Sequence, residues 1–321
     1  MLFLSEADVA NLFPMQLAIE RVEASFRAQA QGEVINHPRR RIFLPNVSLH
    51  YMAAALPGDN LLGMKIYAAS RQSVRFTVLL YAADTGEMLA TIEADLLGRI
   101  RTGAASGVAT KYLARPGAST VGLIGAGRQA RTQLEAVSVV RKLKSVRVFS
   151  RNEERRRAFC REMSALLKLE VEPSESAEAA SRSADILITA TRSREPVLRS
   201  EWVKSGAHVN AIGCNVPDRR EVDDELLRRA VVIAVDSIEQ AKLEAGDLIQ
   251  GFSGSPERWE AVTELCQIVA GGHKGRVSPE DITLFKSVGM AIWDVAAAGA
   301  IYRRALETGR GKTLELSAPM P

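Results

Sequence analysis

The feature that most constrains this chain is a glycine turn between an apolar segment and a helical one. Residues 120–124, TVGLI, have the character of a buried strand, and Gly125-Ala126-Gly127-Arg128-Gln129-Ala130 follows directly. In such a G-x-G-x-x-A pattern the first glycine permits a tight turn and the second leaves room for a pyrophosphate. The alanine lets the next helix pack closely on the strand. The helix N-terminus offers free N–H groups to phosphates, so the segment predicts a dinucleotide-binding unit.

From residue 119 onward, apolar segments of strand length alternate with helical segments. Besides residues 120–124, the strand candidates are SVRVF, ADILITAT, AHVNAIG and VVIAVDS. This alternation is typical of a parallel sheet with helices on both faces. We therefore predict an α/β fold with a Rossmann-type, doubly wound parallel sheet domain over residues 118–290.

The sequence before residue 118 has a different pattern. Helices are expected over residues 5–31, where Ser5 is a suitable N-cap, and over residues 99–114. Over residues 41–95, short apolar segments are separated by the turn sequences PGDN and DTGE. This spacing predicts an antiparallel sheet.

A helical pattern returns over residues 279–309, where Ser278 is a candidate cap and Pro279 fits the first turn. We assign residues 1–117, together with a C-terminal helix over 291–321, to an N-terminal α+β domain.

Composition excludes several functional classes. The net charge of the 321 residues is +4 and aromatic residues make up only 5%, which argues against a nucleic-acid partner. No apolar segment is long enough for a membrane span. Three widely spaced cysteines without a C-x-x-C pattern argue against a disulfide framework or a zinc site, so we expect no metal. The first residues lack a basic leader, and we expect a cytoplasmic protein.

The end of the second predicted strand bears on the choice of cofactor. About twenty residues after the glycine motif, NAD-selective sites place a carboxylate that binds the ribose 2′-hydroxyl. This chain has Ser150, Arg151 and Asn152 there. A hydroxyl and a guanidinium can bind a 2′-phosphate, which a carboxylate would repel. We therefore expect NADP to be preferred, with NAD possible; the alternative is that Arg151 is one more solvated charge.

Several motifs together resemble the ornithine cyclodeaminase/mu-crystallin family over essentially the whole chain. They are Arg41-x-x-x-Pro45, Met52, Gly63-Met64-Lys65, Asp84-Thr85-Gly86, Arg101-Thr102-Gly103-Ala104-Ala105-Ser106, the glycine motif, and Ser287-Val288-Gly289-Met290-Ala291-x-x-Asp294. The resemblance implies a homodimer formed through the N-terminal sheet domain. It also implies a nicotinamide cofactor in the Rossmann domain, facing an inter-domain cleft, and a small amino or imino acid as substrate.

The resemblance also assigns site residues. Arg41 and Arg101 correspond to arginines that bind the substrate carboxylate, and Lys65 corresponds to the active-site lysine. Strand parity alone allows Arg39 as well as Arg41, and we prefer Arg41 because of its spacing to Pro45 and Lys65. Arg101 is also expected at the cofactor. The other cofactor candidates are Thr102, Gly125, Ala126, Gly127, Arg128, Gln129, Ser150, Arg151, Asn152, Thr189, Thr191, Ile212, Gly213, Ser287, Val288 and Gly289.

One position departs from the family. Cyclodeaminases carry an aspartate in a Gly-x-Asp-x-Pro motif, and this chain has Asn215 there. An amide neither accepts nor donates a proton at neutral pH, whereas cyclodeamination needs a base. Asp218 is close in sequence, but we expect it to cap a helix.

The leading hypothesis is therefore an NAD(P)H-dependent reductase of a small 2-imino acid, or a dehydrogenase that interconverts a 2-oxo acid and an amino acid. The first alternative is an ornithine cyclodeaminase-type ammonia-lyase. The second, from another class, is a non-catalytic NADP-binding protein of the mu-crystallin kind. A buried lysine beside two arginines favours an enzyme, because nucleotide binding alone does not require them.

Overall fold

The computed structural model describes residues 1–315, and these form two compact units. Unit 1 contains Met1–Arg101 and the chain from Met290 onward, and unit 2 contains Thr102–Gly289. The division falls inside a helix, because the first turns of that helix have their partners in unit 1. The boundary expected at 117/118 lies four residues after that helix, which ends at Leu113, and as a domain boundary it stays a prediction. Residues 316–321 of the expected C-terminal helix lie outside the described residues.

The first half of the chain contains seven strands and three helices. They are β1 Leu2–Leu4, α1 Glu6–Leu12, α2 Met15–Ala30, β2 Ile35–Asn36, β3 Arg40–Phe43, β4 Val47–Leu56, β5 Leu61–Ser70, β6 Val74–Ala82, β7 Met88–Glu93 and α3 Asp95–Leu113.

The second half begins with the glycine turn. Its elements are β8 Thr120–Ile124, α4 Arg128–Val140, β9 Ser145–Phe149, α5 Glu153–Leu167, β10 Val171–Pro173, α6 Ala177–Ser181, β11 Ile186–Thr189, β12 His208–Ala211, α7 Asp224–Arg229, β13 Ala230–Val235, α8 Ile238–Glu244, α9 Gly246–Gly251, β14 Val262–Glu264, α10 Leu265–Val269, β15 Ile282–Lys286, α11 Ala291–Thr308 and β16 Lys312–Thr313.

Unit 1 is built on one mixed sheet. Its order is β16-β1-β7-β6-β5-β4-β2, and β3 also pairs with β4. The predicted antiparallel pairing is confirmed from β3 to β7, while β1 joins β7 in parallel. Alternate residues of β4, β5 and β6 are buried on one face, where α11 packs.

The expected helix over residues 5–31 is two helices. Ser5 caps α1 as predicted, with a capping box in which Asp8 is the reciprocal partner. The helix ends before Pro14, which has no N–H to continue the hydrogen-bond ladder and whose ring disfavours helix at the residue before it. Pro14 then stands at the N-cap of α2. The helical periodicity was correct, but the proline interrupts it.

Unit 2 is a doubly wound parallel sheet, as predicted. Its order is β10-β9-β8-β11-β12-β15-β13-β14, and every neighbouring pair is parallel. Eight strands are present where the sequence predicted five, because β10 and β14 are only three residues long and β15 was assigned to a helix.

The helix expected over residues 279–309 begins twelve residues late, at Ala291. Residues 282–286 instead form β15, which is buried at every position. A short, continuously apolar segment does not distinguish a strand buried on both faces from a helix. Ser278 and Pro279 lie in a turn that the Asp281 carboxylate holds by accepting from the backbone amides of Val277 and Ser278.

α11 is almost wholly buried in unit 1. Twelve of its eighteen residues are buried, and Trp293 packs edge-on against Phe26 of α2, with ring centroids 5.3 Å apart. Within residues 1–315, no helix combines the length and the apolarity needed to cross a bilayer.

Gly103 explains one part of the RTGAAS segment. It lies in α3, where a Cβ would be 2.3 Å from the backbone oxygen of Thr132 in α4. Real Cβ contacts do not reach such a distance, so the two helices approach closely only because residue 103 has no side chain.

We expect Gly103→Ala to lower the free energy of unfolding of the protein by about 1–3 kcal/mol, because overpacking against a backbone atom outweighs the gain in helix propensity of about 1 kcal/mol. Denaturant titration measures this. Gly117→Ala is the matched control, since a Cβ at Gly117 meets nothing within 4 Å. Equal stability of the two variants would contradict the close-packing explanation.

Candidate active site

The glycine turn of unit 2 has the geometry of a phosphate site. Gly125 has φ +117°, and a Cβ there would lie 2.5 Å from the carbonyl oxygen of Ala190, so only glycine fits. Gly127 is the N-cap of α4 without a side-chain hydrogen bond, and a Cβ there would meet nothing within 4 Å. The first turn of α4 therefore faces open space, as a pyrophosphate requires. Ala130 is fully buried, which fits its expected packing role.

The end of β9 carries hydroxyl and guanidinium groups. The Ser150 hydroxyl donates to the Asn152 carbonyl oxygen at 3.2 Å, and Arg151 is exposed. Asn152 caps α5, because its side chain accepts from the Arg155 amide. A further cation lies here: Arg156 donates to the Ser150 carbonyl oxygen at 2.6 Å. The sequence reading missed Arg156, although a position four residues after the N-cap returns to the start of its helix.

A buried carboxylate joins the ends of β11 and β12. Glu221 Oε1 accepts from the backbone amide and the hydroxyl of Thr191, and Glu221 Oε2 accepts from the Gly213 amide, all at 2.6–2.8 Å. Burial raises the pKa of Glu221. Ile212, between these strand ends, donates its amide to the Thr189 carbonyl oxygen. Glu221 was not predicted from the sequence, yet it fixes two of the expected cofactor segments.

Thr189 is fully buried, and its hydroxyl has no hydrogen-bond partner within residues 1–315. An orphaned hydroxyl at the end of a central strand of a doubly wound sheet suits a ribose contact. Together with the open N-terminus of α4, it shows that the residues of unit 2 fit a dinucleotide.

A buried ion pair supports the segment that follows β12. Lys286 Nζ lies 2.7 Å from Asp247 Oδ2 and donates to the Cys214 carbonyl oxygen at 2.7 Å. Burial disfavours the Lys286 ammonium, but the carboxylates of Asp247 and Glu221 outweigh it and raise the pKa of Lys286. These contacts hold the backbone beside Asn215, which is half-buried.

The expected helix cap at Asp218 is wrong. Asp218 is exposed in the loop, and the side chain that caps α7 is Asp223, which accepts from the Leu226 amide. The cap lies five residues later because α7 is short and begins only at Asp224.

The segment 287–289 is held by a single carboxylate. Asp236 Oδ2 accepts from the Ser287 hydroxyl at 3.0 Å and from the amides of Val288 and Gly289 at 2.7 and 2.6 Å. Asp236 is fully buried at the end of β13. The loop that the resemblance places at the nicotinamide is therefore fixed by charge-assisted hydrogen bonds.

Unit 1 contains a buried charge cluster. Lys65 Nζ lies 3.1 and 3.2 Å from the two carboxylate oxygens of Asp294, and Arg101 Nε donates to Asp294 Oδ1 at 2.9 Å. The three residues are at most 4% exposed. Arg101 Nη1 is buried and has no hydrogen-bond partner among the described residues. The structure thus brings together two predicted residues and one that was missed.

Asp294 was named only as part of a motif, without a role. The available signal was a lone carboxylate in the otherwise apolar sequence MAIWDVAAAGAI. A charge in a buried helix is costly unless it is paired, so such a residue implies a buried cation.

The Lys65 ammonium can lose its proton near neutral pH. Burial and the Arg101 charge lower the pKa of Lys65 to about 7, against the opposing effect of Asp294. Arg39 lowers it further. Lys65 is therefore able to exchange a proton at physiological pH.

The strand register distinguishes the positions of Arg39 and Arg41. Arg39 is buried and donates to Met52 Sδ at 3.6 Å, and Met52 pairs with Lys65. Arg41 is half-buried and lies two residue pairs farther along the sheet, opposite His50. Parity left both arginines open, and Arg39 is the one that lies nearer to Lys65.

An aromatic row lies beside the charge cluster. The His50 ring stacks on Tyr67 with centroids 4.5 Å apart, and Tyr67 contacts Phe76 at 4.6 Å. Burial and the charge of Arg41 lower the pKa of His50 to about 4, so the ring is neutral at pH 7. The same face of the sheet therefore presents cations and neutral rings side by side.

Comparison with known proteins agrees with this geometry. The profile of the ornithine cyclodeaminase/mu-crystallin family matches residues 1–309. A Δ1-pyrroline-2-carboxylate reductase from Bacillus cereus is 34% identical over 98% of this chain and 100% of its own length.

Two solved structures are similar along their whole length. The Δ1-pyrroline-2-carboxylate reductase of Thermococcus litoralis, in complex with NADH and L-proline, is 40% identical with a TM-score of 0.94, covering 98% of this chain and 100% of that one. An archaeal alanine dehydrogenase dimer with bound NAD is 34% identical with a TM-score of 0.93, covering 99% of each. The resemblance seen in the motifs is thereby confirmed: the chain belongs to the ornithine cyclodeaminase/mu-crystallin family and is an NAD(P)-dependent oxidoreductase of it.

Proposed function

We propose that the protein reduces a small cyclic 2-imino acid to the corresponding amino acid, with NADPH as the preferred reductant. The observation that carries this proposal is the cluster of Lys65, Arg101 and Asp294, in which a lysine able to exchange a proton lies beside an arginine with an unused donor. A 2-imino acid has a carboxylate for the arginine and a basic nitrogen for the lysine.

The carboxylate of the substrate is bound by guanidinium groups. Arg101 is anchored through Nε, which leaves its Nη groups for a bidentate contact. Arg41 adds a second cation from β3, and the buried Arg39 contributes its charge to the same region. Binding fixes the orientation of the imine, since two parallel hydrogen bonds define a plane.

Lys65 supplies the proton. When bound, the reduced nicotinamide supplies a hydride to the imine carbon. The imine nitrogen gains an electron pair as the C=N bond is reduced, and the Lys65 ammonium donates a proton to it. The product is an amine, and solvent returns a proton to the neutral lysine. A lysine with a pKa near 7 suits both steps.

Asn215 disfavours the cyclodeaminase alternative. Ring closure and loss of ammonia need a further acid/base group, and an amide does not provide one. Asp218 does not replace it, because that side chain is exposed. The non-catalytic alternative is disfavoured by the cost of burying Lys65 and Arg101, which a nucleotide-binding role does not explain.

The preference for NADPH rests on the end of β9. Ser150, Arg151 and Arg156 offer a hydroxyl and two guanidiniums, and residues 150–152 contain no carboxylate. Such a set is suited to a 2′-phosphate. The cofactor residues named above, from Thr102 to Gly289, are part of this proposal.

We also propose a cytoplasmic homodimer formed through unit 1. Exposed apolar side chains are concentrated on β2, β3 and the turn after them: Ile35, Ile42, Phe43, Leu44 and Val47. Phe43 and Leu44 are more than 60% exposed, which is unusual for a monomer unless a partner covers them. The three cysteines are buried and free, as in a reducing compartment.

The main test is oxidation of NADPH in the presence of Δ1-pyrroline-2-carboxylate or Δ1-piperideine-2-carboxylate. We expect turnover with at least one of them, and a loss of roughly a hundredfold or more in kcat for Lys65→Ala, because proton donation is removed. Titration of NADPH fluorescence should show unchanged cofactor affinity. Lys142→Ala, an exposed lysine, is the control. Full activity of Lys65→Ala would exclude the proton-donor role.

With L-ornithine and NAD, the protein should release little ammonia and form little proline, because Asn215 provides no base. Asn215→Asp should increase oxidation of the amino acid by restoring a titratable group. An ammonia assay follows both, and Asn11→Asp on an exposed surface serves as the reference. Rapid proline formation by the unaltered protein would contradict this reading of Asn215.

Replacement of Ser150 by Asp should shift the ratio of kcat/KM for NADPH and NADH toward NADH, through repulsion of the 2′-phosphate and a new bond to the ribose hydroxyls. Arg156→Met should weaken NADPH more than NADH. Arg155→Met, an exposed arginine in the same helix turn, should leave the ratio unchanged. The preference is refuted if the wild type binds NADH more tightly than NADPH.

A further inference from the structure

Asp294 stands between two cations that the proposed function needs. Its Oδ1 lies 3.1 Å from Lys65 Nζ and 2.9 Å from Arg101 Nε, so one oxygen is shared. Asp294 itself is fully buried in α11. Because Arg101 is held through Nε, the outer edge of its guanidinium is not used by the carboxylate.

Among the described residues, one carboxylate and two guanidiniums act electrostatically on Lys65. Arg101 comes from α3, Asp294 from α11 and Arg39 from the segment before β3. The neighbouring strands contribute uncharged partners, Met52 from β4 and Val78 from β6. The ring of Phe76 lies 5.8 Å from Nζ, and the neutral His50 lies two residue pairs farther along β4.

Without a bound anion, the positive charge of this cluster exceeds its negative charge when Lys65 is protonated. With Lys65 protonated, the Lys65 ammonium and the Arg101 guanidinium share one carboxylate, so a second negative charge is needed to stabilise both cations in a buried site. A substrate carboxylate on Arg101 provides it. Anion binding therefore favours protonated Lys65, provided that Asp294 already compensates one of the positive charges.

We propose that Asp294 is a positioning residue whose negative charge stabilises the ammonium form of Lys65. Binding of a carboxylate substrate then makes Lys65 take up the proton required for reduction. This inference rests on the proposed function, because it assigns a substrate carboxylate to Arg101. It adds a residue and a linkage that the proposed function does not contain: substrate binding and proton uptake become one event.

The first experiment is the pH dependence of kcat/KM for ketimine reduction. Reduction uses protonated Lys65, so activity falls as the pH rises through its pKa. Asp294→Asn keeps the shape of the side chain but removes its charge. We expect the alkaline limb of the pH profile to shift to lower pH by about one unit or more. Ionisation of the substrate is common to all variants and cancels in the comparison.

Three variants complete the series. Asp294→Glu restores the charge and should return the limb toward the wild-type position even if kcat is reduced. Arg101→Met removes a repelling cation and should move the limb upward. Asp59→Asn, which removes a surface partner of Arg303 on α11, should not move it.

A second measurement does not depend on turnover. Pyrrole-2-carboxylate, a planar ring carboxylate that does not accept a hydride, is titrated into the NADPH-bound protein by calorimetry in two buffers of different ionisation enthalpy at pH 8. We expect uptake of a substantial fraction of a proton by the wild type and clearly less by Asp294→Asn.

The outcomes separate the two proposals. An unshifted limb in folded Asp294→Asn, or proton uptake equal to that of the wild type, would overturn the role of Asp294 while leaving the reductase function intact. Proton uptake that depends on Asp294 in a protein that reduces no ketimine would support the linkage and refute the substrate class. If Asp294→Asn does not fold, Arg101→Met decides, because an unshifted limb in that variant overturns the proposal.

Discussion

The ion pair between Lys65 and Asp294 is the interaction on which the rest of unit 1 depends. Lys65 and Arg101 are almost fully buried, and among the described residues Asp294 is the carboxylate that pairs with both of them. Removing one partner of a buried pair typically costs about 3–5 kcal/mol, since the remaining charge stays in an apolar environment. α11 must therefore present Asp294 at one position, and its small apolar residues allow it to pack that closely against β4, β5 and β6.

Unit 2 also contains buried carboxylates, and there they hold segments of the backbone in place. Glu221, Asp236 and Asp247 are fully buried carboxylates that accept hydrogen bonds from backbone amides: Glu221 and Asp236 from amides near the ends of strands, and Asp247 from amides in the loop before α7. Such bonds to a charged acceptor are stronger than neutral ones and fix the backbone. The segments expected to contact the cofactor are thus held rigidly. The glycine turn stays open because its own residues are too small to fill it.

Local patterns predicted much of this structure. The capping box at Ser5, the antiparallel strands after residue 40 and the glycine turn at Gly125 each follow from residues that are neighbours in sequence. The failures are equally physical. Pro14 overrides a helical periodicity, and β15 is buried on both faces, so no exposed face marks it as a strand. The two shortest strands of unit 2 offer too few residues for any pattern.

Two of the residues that were missed, Asp294 and Glu221, have partners that are distant in sequence. Lys65 and Asp294 are 229 positions apart, and Gly213 reaches Glu221 only through a loop that the strand pattern does not describe. A motif reveals a residue whose neighbours along the chain explain it, as Gly127 does. A lone buried carboxylate is explained only by the cation that it meets after folding. Where a sequence places an isolated acid inside an apolar helix, as at Asp294, the partner must therefore be sought among the cations that the predicted sheet buries, and Lys65 was already such a cation.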